Sequence, residues 1–160
     1  MIVIDMDDIC LNDGPSANGM HWMYYLKGKY PSFKINLFCI PGRSNKRWME
    51  MLASHDWISI CIHGWNHDEK EEVPEEGLVG WNFTRIYKGP NWKVTEEELG
   101  LLARHNFILA VKDIYTWKIR QWPLADPRAV HGHVWVESDW QRIERRLSED
   151  NDCRFIQEVV

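Results

Sequence analysis

The 160 residues suffice for one domain around a single core, and 44% of them are hydrophobic, which excludes a disordered chain. The net charge of −5 mixes both signs, so nothing marks a nucleic-acid footprint or an anionic membrane partner. No apolar run approaches the roughly 20 residues of a membrane helix, and the chain starts directly in an apolar strand, so no membrane and a cytoplasmic location are expected.

Residues 1–6 are apolar almost throughout, as in a strand covered on both faces, and Asp7-Asp8 is expected to end it. Leu11 to Asn18 carries Asn, Asp, Gly, Pro and Ser, a loop signature. Asn18 or Ser16 is expected to cap a helix over Gly19–Lys29, stopped by Pro31. Lys34–Ile40 reads as the next strand, closed by Pro41-Gly42. Ser44 or Asn45 opens a helix to about Ser54, and the apolar run 57–62 is a third strand. It runs out into His63-Gly64-Trp65-Asn66-His67. Strand, helix, strand, helix, strand implies a parallel sheet with helical crossovers.

The acidic run Asp68 to Glu76 reads as a solvated loop or short helix. A fourth strand is expected over Phe83–Tyr87, followed by Lys88-Gly89-Pro90-Asn91-Trp92. Thr95-Glu96-Glu97-Glu98 is a capping box opening a helix to about His105. Phe107–Val111 is a fifth strand, and 113–127 is irregular with room for one short strand. Ala129–Val136 is the last clear strand and carries His131 and His133. Ser138 is expected to cap a helix to about Ser148, and Arg154–Ile156 closes the chain. No repeat or linker interrupts it, so residues 1–160 are read as one domain.

Four cysteines, none in a Cys-x-x-Cys pair, are expected to be reduced and structural. His21, His55 and His105 fall on helices or their ends and read as surface or partly buried. Trp is overrepresented at 10 residues; most fill the interior, and two or three are expected to line a pocket.

Two carboxylates at one strand end and two imidazoles at another have the makings of a divalent-metal site. Two neutral imidazoles and one carboxylate leave positions open for water and substrate, as a catalytic metal requires. A zinc protease is disfavoured, because its His-x-x-x-His carries Glu after the first His and Gly64 stands there instead.

The order Asp-Asp, His-x-x-x-His, basic-x-Pro and a late His-bearing strand resembles the NodB-type polysaccharide deacetylases of the carbohydrate esterase family 4 superfamily, in particular their compact branch. The resemblance spans about residues 1–135. It implies an α/β fold, a shortened, irregular (β/α) barrel with its site at the carboxyl ends of the strands. It implies Asp7 as catalytic base and Asp8, His63 and His67 as ligands of a divalent metal, zinc first, with cobalt, nickel or manganese as alternates. Lys88-Gly89-Pro90 aligns with the family's Arg-x-Pro, so Lys88 stands where an Arg holds the base; an ammonium lacks the bidentate fork, and Arg85 is a candidate stand-in. Gly64 replaces the family's Ser or Thr. The catalytic His of the last motif maps to His131, with His133 as rival. Asp113 and Trp117 match the remaining acidic-Trp motif poorly. Trp65, Pro90, Asn91, Trp92 and Trp117 are expected to line the substrate.

The implied activity is metal-dependent removal of an acyl group, N- or O-acetyl, from an acetylated carbohydrate, a hydrolase of non-peptide C–N bonds in the deacetylase case. Asp7 would take a proton from water and His131, as imidazolium, would protonate the leaving atom. Two alternatives stay open: a non-catalytic carbohydrate-binding or structural protein that keeps the fold, and a metal hydrolase of another bond such as a phosphoester. Oligomeric state is left open.

Overall fold

The structure, a computed structural model, describes residues 1–10, 18–68, 72–81 and 83–160. Among the described residues, eight strands and five α-helices follow in the order β1 Ile2–Ile9, α1 Met20–Lys29, β2 Ile35–Cys39, α2 Lys46–Ala53, β3 Ile58–His63, α3 Glu75–Gly80, β4 Ile86–Lys88, α4 Glu96–Arg104, β5 Ile108–Val111, β6 Arg120–Pro123, β7 Ala129–His133, α5 Glu137–Glu149 and β8 Cys153–Arg154. Every strand pairing is parallel. The order is β6-β5-β4-β3-β2-β1-β7, with β8 added to the start of β1. The sheet curls into a half-barrel whose edges are β6 and β7.

Period-two alternation sorts the side chains. Ile2, Ile4 and Met6 of β1 pack outward with Ile35, Leu37 and Cys39 of β2, Ile58 and Ile60 of β3, and the buried faces of α1, α2 and α5. Tyr87, Leu109 and Val111 do the same under α4. The intervening residues face the concave side, where Val3, Phe38, Cys61, Ile86, Ile108, Ala110 and Trp122 make a second apolar layer. Both faces are therefore covered, as parallel sheets require. All four cysteines are free thiols and buried; burial pushes the Cys61 thiol up to about 12.

Several boundaries differ from expectation. β1 continues through Asp7-Asp8 to Ile9, with a register shift between Met6 and Ile9. α1 has the left-handed Gly19 at its N-cap and no side-chain cap. Asn18 is spent elsewhere: its side chain accepts from Cys10 N and donates to Cys10 O, tying down the end of β1. Ser16 lies outside the described residues, as do Leu11 to Ala17 and Glu69 to Glu71. Asn45 does cap α2, and the Thr95–Glu98 capping box is formed on α4. Ser138 lies inside the first turn of α5, which begins at Glu137 without a side-chain cap. β4 starts three residues later than Phe83 and includes Lys88, because Thr84 N instead bonds Ile60 O ahead of the strand. β7 stops at His133, where Val136 N turns back onto the His133 carbonyl.

Candidate active site

The concave face changes character along the strands. Toward the carboxyl ends, apolar residues give way to Asp5 and Asp7 of β1, His63 of β3, Lys88 of β4 and His131 of β7. Asp5, Asp7, His63 and Lys88 are buried, at 4% exposure or less. Asp5 and Asp7 share a face because they are two apart. The β1–β7 register sets His131 beside Asp5 and His133 beside Asp7.

Lys88 is the centre of the buried network. Its Nζ donates to Asp5 Oδ1 at 2.6 Å and to Asp7 Oδ1 at 2.7 Å. The rings of Phe38 and Trp92 flank it, 4.0 and 4.8 Å from the ammonium. A buried ammonium without partners would cost several kcal/mol; two carboxylates and two aromatic faces offset that. Burial pulls the Lys88 pKa down, but Asp5 and then Asp7 outweigh it and the pKa is raised. Burial likewise pushes the Asp5 carboxyl up, yet Lys88 and His131 dominate together and bring it down to about 2. Arg85, the candidate stand-in for a family Arg, is exposed and donates to the His105 carbonyl, away from this network.

His131 Nδ1 lies 2.7 Å from Asp5 Oδ1, which holds the proton on that nitrogen and leaves Nε2 facing Asp7 Oδ2 at 3.8 Å. Trp92 packs edge-on to the His131 ring at 5.3 Å. His133 is half-exposed; its backbone N donates to Asp139 Oδ2, and its Nδ1 lies 3.7 Å from the same oxygen.

A second cluster adjoins the first. Asp8 Oδ1 is 3.5 Å from His63 Nε2 and 3.5 Å from His67 Nε2, and the two Nε2 atoms are 3.1 Å apart. Three donors at bond lengths of about 2.0–2.1 Å around a tetrahedral ion would sit roughly 3.4 Å from one another, so the residues present fit a divalent metal. His63 Nδ1 bonds the Lys88 carbonyl at 3.1 Å, which leaves Nε2 as the nitrogen that could hold an ion. Burial lowers the His63 pKa and favours the neutral ring a metal needs. Trp135 Nε1 donates to Asp8 Oδ2 at 3.1 Å and fixes the other side of the carboxylate.

Local backbone explains how neighbours converge. Asp8, His67 and Gly64 have φ of 67°, 68° and 59°. In a regular strand Asp7 and Asp8 would point to opposite faces; the left-handed Asp8 in the irregular part of β1 turns its carboxylate to the same side. Gly64 fills a left-handed position that a residue with a Cβ adopts only with strain.

The structure thus gathers Asp7, Asp8, His63, His67, Lys88 and His131 in one place, with His133 at its rim. Trp92 joins them, carried by the turn Pro90–Trp92, in which Pro90 is buried and Asn91 exposed. Trp65 packs edge-on to Trp81, and its ring lies where a Cβ on Gly77 of α3 would go. Asp113 and Trp117 are exposed in the loop after β5, Trp117 at 96%, and take no part in the contacts of the site. Two members of the site go beyond those expected from the sequence. Asp5 is signalled there by a lone charge in an apolar strand, two residues before Asp7. Trp135 is signalled only as one of several Trp residues at strand ends; its bond to Asp8 depends on β7 lying beside β1.

The architecture and site define a class: an all-parallel α/β half-barrel with a His-His-Asp cluster beside a carboxylate–lysine–histidine network. Comparison with solved structures places that class. A family 4 carbohydrate esterase from Streptomyces lividans, in complex with acetate, superposes with a TM-score of 0.61 at 13% identity, over 94% of this chain and 88% of that one. The peptidoglycan deacetylase PdaC from Bacillus subtilis gives 0.60 at 10% identity, over 98% and 88%. A family 4 acetyl xylan esterase from Clostridium thermocellum, in complex with cobalt, gives 0.51 at 11% identity, over 98% and 87%. The fold is that of the NodB-type deacetylases of carbohydrate esterase family 4. No family model and no curated protein matches the sequence itself.

Proposed function

We propose that the protein is a divalent-metal-dependent hydrolase that removes an acetyl group from an acetylated carbohydrate. The observation that carries the reading is the triangle of Asp8, His63 and His67 donors, 3.1–3.5 Å on a side, with Asp7 Oδ2 3.8 Å from His63 Nε2. A divalent ion held there would acidify water and polarise the acyl oxygen. The donor set suits zinc, with cobalt, nickel and manganese as alternates.

The chain's own groups handle the protons. Lys88 holds Asp7 by Oδ1, which leaves Oδ2 to take a proton from the attacking water. His131 Nε2 delivers a proton to the leaving nitrogen or oxygen. Asp5 orients that ring through Nδ1. Lys88 replaces a guanidinium fork with a point charge shared between Asp5 and Asp7, so one cation aligns the base and the partner of the acid. Trp92 offers an apolar wall next to His131, and Asn91 a polar edge, for the sugar.

The alternatives fare less well. A non-catalytic sugar binder offers no reason to bury Lys88 with two carboxylates, an arrangement that costs several kcal/mol in desolvation. A phosphoester hydrolase wants cations free to meet the substrate, and the charge of Lys88 is already committed.

The test is acetate release from acetylated chito-, xylo- and peptidoglycan oligosaccharides by protein loaded in turn with each of the four metals. Release from at least one, abolished by Asp7→Ala, is the expected result. No release with any metal, from protein that binds one ion per chain, would overturn the reading.

A further inference from the structure

The site has a second set of donors that the proposed reaction does not use as ligands. One donor atom from each of Asp7, His131 and His133 lies within 4.8 Å of the other two, in a group separate from Asp8, His63 and His67. We infer that Asp7, His131 and His133 form a second, weaker divalent-cation site, and that filling it switches the enzyme off. The inference rests on the reading above, because it is the base and acid of that reaction that the second cation would take.

Three observations support it. First, His131 is presented as a metal-ligating imidazole is: its Nδ1 is held by a carboxylate, Asp5, and its Nε2 is left toward Asp7 Oδ2. A carboxylate behind the ring fixes the tautomer and the orientation of the ligating nitrogen. Second, His133 is brought to the same place by strand geometry, since two residues along β7 returns to the same face and the register sets His133 beside Asp7. The two rings are 5.4 Å apart. Third, His133 is half-exposed, so a cation can reach this group from solvent.

Charge sets the order of affinity. Asp5, Asp7 and Asp8 oppose the single ammonium of Lys88, and one divalent ion at Asp8, His63 and His67 neutralises the remainder. A second ion enters a site already balanced, with Lys88 Nζ 2.7 Å from Asp7 Oδ1. Asp139, 3.7 Å from His133 Nδ1, relieves this in part, though it is also paired with Arg142 at 2.9 Å. His131 Nε2 and Asp7 Oδ2, 3.8 Å apart, are also wider than the roughly 3.4 Å between donors on a tetrahedral ion, whereas the first site, at 3.1–3.5 Å, is already near that spacing. Inhibition results from occupancy. The lone pair on His131 Nε2 can hold a proton or a cation, not both, and the same holds for Asp7 Oδ2 as a base.

The test is zinc binding to tag-free protein by calorimetry, alongside acetate release over the same zinc titration. Wild type should bind one zinc tightly and a second more weakly, as a separate step of the titration. His133→Ala, at the half-exposed rim of the site, should keep the tight zinc, lose the weak one and fold as wild type by circular dichroism. Asp8→Ala should lose the tight one. Wild-type activity should rise to one equivalent and fall severalfold with excess zinc, while the rate of His133→Ala, taken relative to its own value at one equivalent, should not fall with excess zinc. A single binding event in wild type, or a weak event that survives His133→Ala, would overturn the site. Activity that rises with the second zinc would overturn the inhibitory role. Absence of acetate release at every zinc level would count against the hydrolase reading alone, because the binding arm stands without it.

Discussion

The two histidine pairs reach the same cleft by different routes. His131 and His133 lie within a regular strand, and period two alone puts both on the concave face beside Asp5 and Asp7. His63 and His67 are four apart, and only His63 is in a strand; the chain must leave regular structure, through left-handed Gly64 and His67, to bring the second ring back within 3.1 Å of the first. Asp8 is turned in by the same device. The Asp5–Asp7–Lys88–His131 network thus sits on the rigid ladder, while the Asp8–His63–His67 triangle is assembled from departures from it. Strain of order 1–3 kcal/mol per residue is tolerable where neighbours over-determine the geometry.

The sharpest way to break this contrast is to remove the charge that the ladder side is built on. Lys88→Met leaves two buried carboxylates facing each other without a cation, and should cost about 3–5 kcal/mol in denaturant unfolding. A loss below about 1 kcal/mol would mean that the network is solvated rather than buried. Asp5→Asn keeps the shape and removes the charge behind His131. It should lower the deacetylation rate by about 10²–10⁴-fold with metal content unchanged, whereas His67→Ala should empty the metal site. Equal metal loss in both variants would erase the distinction between the two halves.

The acid limb of stability sharpens the same point. Asp5 titrates at about 2 in the folded protein against an ordinary value of 3.8. A depressed carboxyl contributes stability that is present above its unfolded value and lost as pH falls through the folded one. Wild type should therefore lose about 2 kcal/mol between pH 4 and pH 2 from this group, and Asp5→Asn should lack that component in acid denaturation curves. On the irregular side, Gly64→Ala forces a Cβ into φ 59° and should cost about 1–2 kcal/mol with weakened metal binding. Smallest of all, Trp117→Ala, at a fully exposed ring, should change stability by less than about 0.5 kcal/mol and leave the rate on small acetylated oligosaccharides alone; a large rate loss would put Trp117 on the substrate path.

Much of the site is legible without the fold. Asp7-Asp8 and His63-x-x-x-His67 stand at the ends of apolar runs, and the strand–helix alternation already requires a parallel sheet. Asp5 is legible in principle by the same logic: in a strand otherwise free of charge, a carboxylate at the same parity as Asp7 belongs on the same face. Lys88 reads in sequence as a weaker copy of an Arg. Its second partner is invisible there, because Asp5 and Asp7 lie 83 and 81 residues away and two strands separate β4 from β1 in the sheet. Conversely, Trp65 and Trp117 look alike in the sequence, yet one is packed on α3 and the other stands in solvent.

The chain alone determined the features that local periodicity and chemistry dictate: the parallel α/β class, the strands, the capped starts of α2 and α4, and the residue types able to hold a metal and move a proton. Only the tertiary structure decided which of those groups meet. That choice depends on the curl of the sheet, which brings β4 across to β1 and β7, and on three left-handed residues that turn Asp8 and His67 inward. Neither is written in any short stretch, because each is set by the packing of segments distant along the polypeptide.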